Sequence, residues 1–456
     1  MIVMKFGGTS VESTSALERV TSLVRSQLHR RPAVVVSAMG KTTNALLEIA
    51  ADASGGRHQE ALTKLGALRQ YHAQEALPLF TDSHRREIDA ILREHFGELE
   101  ESIRGIAVNG NVSPSTLDAV ASFGERLSSR IVAACFQESG IPSVHLDARR
   151  LIVTDKRHTQ AAPSVSQCYA RIVAAFSGLA SDQVPVLGGF IGATPDGITT
   201  TLGRGGSDFT ASLVGAALDA EEIQIWTDVD GILTSDPRLV PGARPVRTIS
   251  FDEAAELAYF GAKVLHPATV LPAREKNIPV RIMNSRRPEV PGTRIVAGSV
   301  SCANPFKSVA CKRNITVLTV HSTRMLMAYG FLRRIFEIFD RHETPVDMLA
   351  TSEVSVSLTI DNTTHLEEIC RELKPFSDVT VEGDQAILCA VGDNLRYTPG
   401  IAARVFGSLQ DINVRMVSQG ASSRNLSFVV AAADLAKAAA RLHREFFAQL
   451  DPAVFD

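Results

Sequence analysis

A lysine stands beside two glycines close to the N-terminus, in the string K-F-G-G-T-S that begins at Lys5. Gly7 and Gly8 lack a Cβ, so their backbone N–H groups could approach an oxyanion closely, and the lysine would add a cation. Such a string could form one wall of a phosphate site. A solvated lysine at the end of a strand, followed by a tight turn, would produce the same pattern. Taken alone, the string leaves both interpretations open.

A second glycine-rich stretch runs from Gly188 to Thr210 and includes the string G-R-G-G-S-D at 203–208. Its glycines permit a hairpin and a close backbone approach, and Arg204 could bind a carboxylate through two parallel hydrogen bonds. Asp208 stands where a helix should begin, so it could be an N-cap and nothing more. We favour a functional site here over a purely structural turn.

Two further regions carry polar groups suited to a nucleotide. The strings W-T-D-V-D-G and T-S-D-P-R offer hydroxyl, carboxylate and guanidinium groups, although Asp228 and Asp236 could be turn residues. The string G-A-K-V-L-H-P adds Lys263 near a predicted helix end, and we interpret His266, beside a proline, as structural. Neither a Walker motif nor a dinucleotide-binding fingerprint is present.

These strings follow predicted strands of an α/β domain. The apolar runs that predict strands lie at 2–6, 33–36, 184–187 and 223–227. Ser15 and Glu18 predict a capping box for a helix between the first two strands, and the region 45–135 is largely helical. Strand, helix, strand units build a parallel sheet with helices on both faces, and active residues gather at the carboxyl ends of its strands. We expect this domain to end near Val296.

The rest of the chain has a different character. A small, polar linker is followed by predicted strands and one amphipathic helix, which lie at 315–320, 331–341 (the helix), 346–349 and 354–360. The same order recurs about 70 residues later. The residues that match at this offset are Gly330, Arg334, Phe336, Ser352 and Ser357 with Gly400, Arg404, Phe406, Ser422 and Ser427. We infer a duplicated βαββαβ-like module, which could extend its sheet across a partner chain.

Composition excludes several classes of protein. At 456 residues the chain is too long for one core, so two or three domains are expected. The 47 basic residues nearly balance the 50 acidic ones, which argues against a nucleic-acid partner. No apolar stretch approaches the roughly 18 residues of a membrane span, so we expect no membrane partner and a cytoplasmic location. The six scattered cysteines predict free thiols and no metal site.

Five strings, in order, resemble the aspartate kinases of the amino acid kinase superfamily: K-F-G-G-T-S, S-F-G-E-R-L-S-S, T-L-G-R-G-G-S-D-F-T-A, W-T-D-V-D-G-I-L-T-S-D-P-R and F-G-A-K-V-L-H-P-A-T. The duplicated tail resembles the paired ACT domains of that family. The resemblance implies an α/β fold of the amino acid kinase type, with a mainly parallel central sheet covered by helices on both faces, and C-terminal α+β ferredoxin-like ACT modules. The implied limits are a catalytic domain at 1–296, a linker at 297–306 and a tandem ACT region at 307–456, with modules at about 315–385 and 386–456 that could interleave.

The resemblance implies a monofunctional enzyme that transfers the γ-phosphoryl group of ATP to the β-carboxylate of L-aspartate. The product would be 4-phospho-L-aspartate, the first step towards lysine, threonine and methionine. A carboxylate with a pKa near about 4 is ionised at neutral pH, so no general base is needed. The barrier is charge repulsion, which lysines, backbone N–H groups and Mg²⁺ bound with ATP would reduce. The alternatives are a superfamily kinase for glutamate, acetylglutamate or a nucleoside monophosphate, and a catalytically dead amino-acid sensor.

The resemblance also assigns a role to each polar string. Lys5 and Lys263 would neutralise phosphate oxygens with Asp208 orienting them, and Arg204 completes this catalytic set. Arg204 would bind the α-carboxylate of aspartate and Glu125 its ammonium. The positions that match substrate contacts are Ser37, Thr43, Glu125, Arg204 and Ser207. The positions that match ATP contacts are Lys5, Gly7, Gly8, Ser10, Thr227, Asp228, Leu233, Asp236, Arg238, Lys263 and Val264.

The first half of the tail resembles that of the lysine-sensitive aspartate kinases. We therefore expect feedback by lysine, with threonine as the alternative, in a homodimer formed through the ACT domains or in a tetramer. Asp347 and Glu353 are the acidic candidates for a cationic effector, unless both are ordinary surface carboxylates. Leu233 replaces an ATP-contacting tyrosine of some relatives, and Ala328 and Pro345 replace serines of the effector pocket. The positions that match that pocket are Met325, Ala328, Gly330, Phe331, Leu332, Val346, Asp347, Ser352 and Glu353.

Overall fold

The computed structural model describes residues 1–261, 265–325 and 329–456. Contacts divide the chain into two compact units, one formed by Met1–Gly231 with Val264–Gly298 and the other by Ile232–Lys263 with Ser299–Asp456. By its contacts, the segment that follows Gly231 therefore belongs with the C-terminal region, although the sequence analysis counted it within a catalytic domain at 1–296. The domain limits drawn from the sequence stay predictions.

The elements are named in chain order. The strands are β1 (Ile2–Phe6), β2 (Pro32–Val36), β3 (Ser143–Leu146), β4 (Val184–Gly188), β5 (Ile191–Ala193), β6 (Thr199–Thr201), β7 (Glu222–Thr227), β8 (Thr248–Ser250), β9 (Val280–Asn284), β10 (Thr293–Val296), β11 (Ser308–His321), β12 (Leu349–Thr351), β13 (Ser355–Ile360), β14 (Asp378–Val391), β15 (Met416–Gln419) and β16 (Asn425–Ala431). The helices are α1 (Thr14–Ser26), α2 (Thr42–Ser54), α3 (His58–Ala76), α4 (Asp82–Asn109), α5 (Pro114–Glu138), α6 (Val165–Ser177), α7 (Gly206–Ala217), α8 (Phe251–Tyr259), α9 (Leu271–Glu275), α10 (Phe331–Arg341), α11 (Leu366–Leu373), α12 (Ile401–Gly407) and α13 (Leu435–Phe446). In the described part of the chain, no helix combines the length and the apolar character that a membrane crossing requires.

The first unit is built on a mostly parallel sheet. Its strands lie in the order β3, β4, β2, β1, β7, β9 and β10. Each neighbouring pair runs parallel except β9 and β10, which are antiparallel. Every residue of β1, β2 and β4 is buried, as expected for strands flanked by helices. The predicted strands of this unit and its mainly parallel sheet are confirmed.

Strand β1 places alternate side chains on opposite faces of the sheet. Ile2, Met4 and Phe6 enter a hydrophobic core that α1 to α5 share. Val3 faces the other side, where it approaches Gly215 of α7. Lys5 shares the face of Val3, so the side chain of this lysine meets α7.

The predicted capping box at Ser15 and Glu18 is wrong. Helix α1 begins one residue after Ser13, whose hydroxyl accepts a backbone N–H from the first turn at 3.3 Å. Ser13 has an extended backbone, with φ −149° and ψ 165°, whereas Ser15 already lies inside the helix, so only Ser13 can cap. A capping box does occur at the start of α8, between Ser250 and Glu253.

The second unit contains a six-stranded antiparallel sheet in the order β12, β13, β11, β14, β16 and β15. Its central strands, β11 and β14, have 14 residues each, and each opens a copy of the same order of elements. The first module spans Ser308–Leu373 and the second spans Asp378–Phe446. Gly330 and Gly400 precede the first helix of each module with φ of 78° and 75°. The duplication is confirmed, but its unit is βαββα, because the last strand of the predicted pattern is β14, which opens the second module.

Two segments of this unit differ from their predicted form. The strand predicted at 346–349 is observed as β12, further along the chain, because the Met348 N–H donates to the side-chain hydroxyl of Thr359 at 2.8 Å. Part of the predicted linker packs closely within the unit. The Asn304 side chain donates to two backbone carbonyls near the C-terminus, and Phe306 is fully buried.

Candidate active site

A cavity of about 290 Å³ opens in the first unit, beside the carboxyl ends of β1, β2 and β4. Segments far apart in the sequence meet there because these strands are parallel neighbours. The lining residues are Lys5, Gly8, Ser37, Ala38, Gly40, Thr43, Glu125, Phe190, Gly203, Gly205, Gly206, Ser207 and Asp208. Most of the substrate positions that the sequence predicted therefore surround one space.

Lys5 and Asp208 form an ion pair in the wall of this cavity. The Lys5 Nζ lies 2.7 Å from the Asp208 carboxylate, and the two side chains are 11% and 12% exposed. Asp208 stands in the first turn of α7, whose N-cap is Gly205. The N-cap interpretation of Asp208 is therefore wrong. The Asp208 carboxylate is stabilised by the N-terminus of α7 and holds the Lys5 ammonium at the cavity wall.

Glu125 is the second carboxylate of the cavity. It lies on α5 and is 3% exposed. Its Oε1 accepts the Ala38 N–H at 3.1 Å, whereas its buried Oε2 has no hydrogen-bond partner. Burial raises the pKa of Glu125 to about 8, although the Ala38 N–H and the nearby Lys5 act in the opposite direction. This carboxylate would be stabilised by a cationic ligand in the cavity.

Hydroxyl groups line the same space. The Ser37 hydroxyl donates to the Ser207 hydroxyl at 3.0 Å, and Ser128 fixes the Ser37 carbonyl by donating to it at 2.8 Å. Thr43 lies in the first turn of α2. Arg204 is exposed and does not itself line the cavity, although its neighbours Gly203 and Gly205 do.

The glycines and the serine of the first string have different roles. A Cβ on Gly8 would lie 2.7 Å from the Gly40 carbonyl oxygen, so only glycine allows the two loops to approach this closely. The Gly7 N–H donates to the Trp226 carbonyl at 3.0 Å, which commits that donor to the sheet. Ser10 is buried and its hydroxyl lies 2.8 Å from another serine hydroxyl. Of these three positions, Gly8 alone lines the cavity.

The predicted ATP positions lie in both units. Thr227 ends β7 in the first unit and Asp228 follows it, and the Thr227 hydroxyl donates to the Asp228 carboxylate at 3.3 Å. Leu233, Asp236 and Arg238 belong to the second unit, where Asp236 and Arg238 pair at 2.7 Å. Lys263 and Val264 lie outside the described residues, as does the effector position Ala328.

The predicted effector positions lie in the first module. Glu353 is exposed, but Asp347 is no ordinary surface carboxylate, because its side chain is 4% exposed. The Asp347 Oδ1 accepts the Lys312 ammonium at 2.7 Å and the Tyr259 hydroxyl at 3.3 Å, and Lys312 also pairs with Asp361 at 2.8 Å. Burial raises the pKa of Asp347, although Lys312 opposes this shift. The burial of the other positions varies: Phe331 is buried, Met325 and Val346 are half-buried, and Gly330, Leu332 and Ser352 are exposed.

Lys312 and Tyr259 were not predicted from the sequence. Neither stands in a glycine-rich or repeated string, and each reaches Asp347 from an element distant in the sequence. Phe190, which lines the cavity and has a left-handed backbone with φ 67°, was also not predicted as a site residue. Phe190 lies within the glycine-rich stretch after β4, and this position in the sequence could have indicated that it lines the site.

Comparison with known proteins agrees with this fold. Residues 1–284 match the model of the amino acid kinase family, and residues 388–446 match an ACT domain. The lysine-sensitive aspartokinase 3 of Escherichia coli K12 is 37% identical over 457 residues, which cover 98% of this chain and 99% of that protein. Aspartokinase 1 of Arabidopsis thaliana, a chloroplastic protein, is 38% identical over 462 residues, covering 98% of this chain and 80% of that protein. This chain therefore belongs to the aspartokinases of the amino acid kinase family.

Solved structures agree as well. The E. coli aspartokinase III bound to lysine and aspartate, in its T-state, superposes with a TM-score of 0.84 at 36% identity, covering 98% of this chain and 99% of that one. The same E. coli protein bound to aspartate and ADP, in its R-state, gives a TM-score of 0.82 at 36% identity, covering 98% of this chain and all of that one.

Proposed function

We propose that this chain catalyses the ATP-dependent phosphorylation of the β-carboxylate of L-aspartate, giving 4-phospho-L-aspartate. The observation that carries the proposal is Glu125, a buried carboxylate with one oxygen unpartnered, in a cavity that Lys5 also lines. Glu125 favours an ammonium ligand, and Lys5 favours an anionic one. An amino acid with a second carboxylate presents both charges. The E. coli relative, whose structures hold aspartate and ADP, supports this assignment.

The chemical step would need charge compensation and no general base. The β-carboxylate of aspartate is ionised at neutral pH, so it can attack the γ-phosphorus directly. Lys5 would offset the negative charge that gathers between the two anions, and Asp208, 2.7 Å away, would hold its ammonium in place. The N-terminus of α7 would add partial positive charge at the same wall.

Recognition of the amino acid would use the remaining lining residues. Glu125 would receive the α-ammonium, and Arg204 would bind the α-carboxylate from the rim of the cavity. The hydroxyls of Ser37, Thr43 and Ser207 would donate to the carboxylates. Glutamate, which is one methylene longer, would place its side-chain carboxylate wrongly for in-line attack if its α-groups bound in the same way.

ATP binding rests on the resemblance and on the position of Lys263 in the sequence. Among the described residues, no group of three or more His, Cys, Asp or Glu side chains could hold a resident metal ion. Mg²⁺ entering with ATP would be held mainly by phosphate oxygens, as is usual for this ion. The Asp208 carboxylate, which lines the cavity, would be a protein ligand for it. When bound, Mg²⁺ supplies further neutralisation of phosphate charge.

Regulation is the second part of the proposal. Lysine would bind the first module near Asp347 and lower the activity, as the name of the E. coli relative suggests for that protein. We also propose a homodimer formed through the ACT modules, a catalytic domain at 1–296, and a cytoplasmic location. The mass in solution distinguishes this dimer from a tetramer of two dimers.

The test is an aspartyl-hydroxamate assay with ATP and Mg²⁺. Aspartate should give hydroxamate and glutamate little, and added lysine, but not threonine, should lower the rate. Lys5→Ala should reduce kcat by at least about 100-fold because a cation is lost beside the transferred group. The matched control is Lys64→Ala, which removes a half-exposed lysine paired with Asp52 in the same unit. Absence of hydroxamate from aspartate in the unaltered protein would overturn the proposal.

A further inference from the structure

Helix α5 presents a second buried carboxylate on the face that carries Glu125. Asp118 precedes Glu125 by seven residues, which is close to two helical turns, so the two side chains share one face. Asp118 is 1% exposed and does not line the cavity. The proposed reaction leaves it without a role.

The Asp118 carboxylate binds two segments that flank the glycine-rich turn. On one side it accepts the hydroxyl of Thr201, the last residue of β6, at 2.5 Å. On the other side it accepts the Thr159 N–H at 3.0 Å and the His158 Nδ1 at 2.7 Å. The two segments also pair directly, because the Ala161 N–H donates to the Thr201 carbonyl at 2.9 Å.

Thr159 has an unusual backbone. Its φ of 68° lies in the left-handed region, which is rare and strained for a β-branched residue. Such strain persists where the surroundings enforce it, and the N–H bonds to Asp118 do so here. In this conformation the Thr159 carbonyl oxygen lies 3.1 Å from the place that a Cβ on Gly203 would take. The strained residue therefore packs directly beneath the first residue of the Gly203–Gly206 turn.

We propose that Asp118 is a positioning residue for substrate binding. It holds in place the turn that carries Arg204 at the rim of the cavity. The proposal rests on the proposed function, in which Arg204 binds the α-carboxylate of the amino acid substrate. An exposed arginine loses side-chain and backbone freedom when it binds, and a fixed turn reduces this entropic loss. One carboxylate on α5 thus fixes the arginine that would bind one end of the substrate, while Glu125 on the same helix would bind the ammonium.

Asp118→Asn is the principal variant. Asparagine keeps the shape of the side chain and one acceptor oxygen, which can still accept from Thr201 and Thr159. Its Nδ2 cannot accept, so the bond from His158 and the second bond from Thr159 are lost. The KM for aspartate should rise at least about fivefold, while the KM for ATP and the kcat at saturating aspartate stay within about twofold. The matched control is Asp52→Asn, which alters another buried aspartate of the first unit, paired with Arg57 and Lys64, and should leave the KM for aspartate unchanged.

The link to Arg204 is tested by a double-mutant cycle. In an Arg204→Gln background, Asp118→Asn should change kcat/KM for aspartate by less than about twofold, because the residue that Asp118 positions is gone. If Arg204→Gln is too slow to assay, calorimetric binding of aspartate supplies the same cycle. Additive effects of the two substitutions would overturn the proposal and leave Asp118 a structural residue.

Two controls separate the possible failures. If Asp118→Asn does not fold, Thr201→Val, which removes one donor and keeps the volume, should raise the KM for aspartate in the same way by about two- to fivefold. An unchanged KM in a folded Thr201→Val protein would then overturn the proposal. If the unaltered protein does not turn over aspartate, the proposed function fails first. If it does and Asp118→Asn keeps a normal KM, the positioning role alone is wrong.

Discussion

Glu125 in the first unit and Asp347 in the second unit are similar groups in different surroundings. Glu125 is 3% exposed and the side chain of Asp347 is 4% exposed, and burial raises the pKa of both. Each also has one carboxylate oxygen without a hydrogen-bond partner. They differ at the other oxygen, because Glu125 accepts a neutral backbone N–H at 3.1 Å, whereas Asp347 accepts the ammonium of Lys312 at 2.7 Å.

Among the residues that the structure describes, the Glu125 carboxylate therefore has no cation bonded to it, whereas the Asp347 carboxylate is already paired with the ammonium of Lys312. A ligand ammonium at Glu125 would supply the main compensating charge in the cavity, so its binding should depend strongly on that carboxylate. At Asp347 an effector ammonium would share the carboxylate with Lys312, so its gain should be smaller. The raised pKa values do not distinguish Glu125 from Asp347. The ammonium of Lys312, which is bonded to Asp347 and not to Glu125, does.

The two modules of the six-stranded sheet show a related contrast. In the first module Ser352 and Glu353 are exposed, as an open effector loop would be. At the matching loop of the second module, Ser422 and Asn425 donate to the Glu256 carboxylate of α8 at 2.7 and 2.6 Å. The loop of the first module is therefore exposed, whereas the matching loop of the second module is occupied by the Glu256 side chain.

The largest expected effect is on Glu125. Glu125→Gln should lower kcat/KM for aspartate about 1000-fold, roughly 4 kcal/mol, because the ammonium of the substrate would lose its buried partner. The KM for ATP should change little. Steady-state kinetics with aspartate and ATP varied separately measure both. The control is Glu138→Gln at the end of the same helix, where the carboxylate pairs with His84. A loss of less than tenfold would place the ammonium elsewhere.

A smaller effect concerns stability and pH in the absence of substrate. The pKa of Glu125 rises from 4.5 to about 8 on folding, so the protonated form is favoured in the folded protein. Its contribution to stability is complete below pH 4.5 and is lost as the pH rises through 8. Between pH 5 and 8.5, the free energy of unfolding should fall by roughly 4 kcal/mol more in the unaltered protein than in Glu125→Gln. Urea unfolding at several pH values measures this difference, and parallel curves would contradict it.

Much of the fold follows from local patterns. The buried runs of β1 and β2 and the helix at Phe331–Arg341 lie where periodicity predicts them. The repeat at an offset of about 70 residues predicts the two modules, because a recurring sequence pattern predicts a recurring order of elements. The capping serine of α1 was misassigned because Ser13 and Ser15 are the same residue type, and only the backbone angles decide which of them caps.

The candidate site could be predicted only where its residues stand in motifs. Lys5 stands near the end of β1, and Asp208 stands in the glycine-rich stretch that follows β4. The parallel sheet brings the two side chains to one cavity. Asp118, Lys312 and Tyr259 act through partners that lie far away in the sequence, and a side-chain pair between distant elements leaves no local pattern. The contacts that join residues 232–261 to the C-terminal region are of the same kind.

The smallest expected effect concerns Lys312 and its ion pair with Asp347. Lys312 offsets Asp347 and Asp361 together, so Lys312→Met would leave two carboxylates without their shared cation. An effector ammonium would then be the main compensating charge, and half-inhibition should need about three- to tenfold less lysine at pH 8. The control is Lys437→Met, which removes an exposed lysine paired with Asp411 in the second module and should leave lysine inhibition unchanged. If Lys312→Met instead needs more lysine, Lys312 holds Asp347 in place for the effector and does not compete with it.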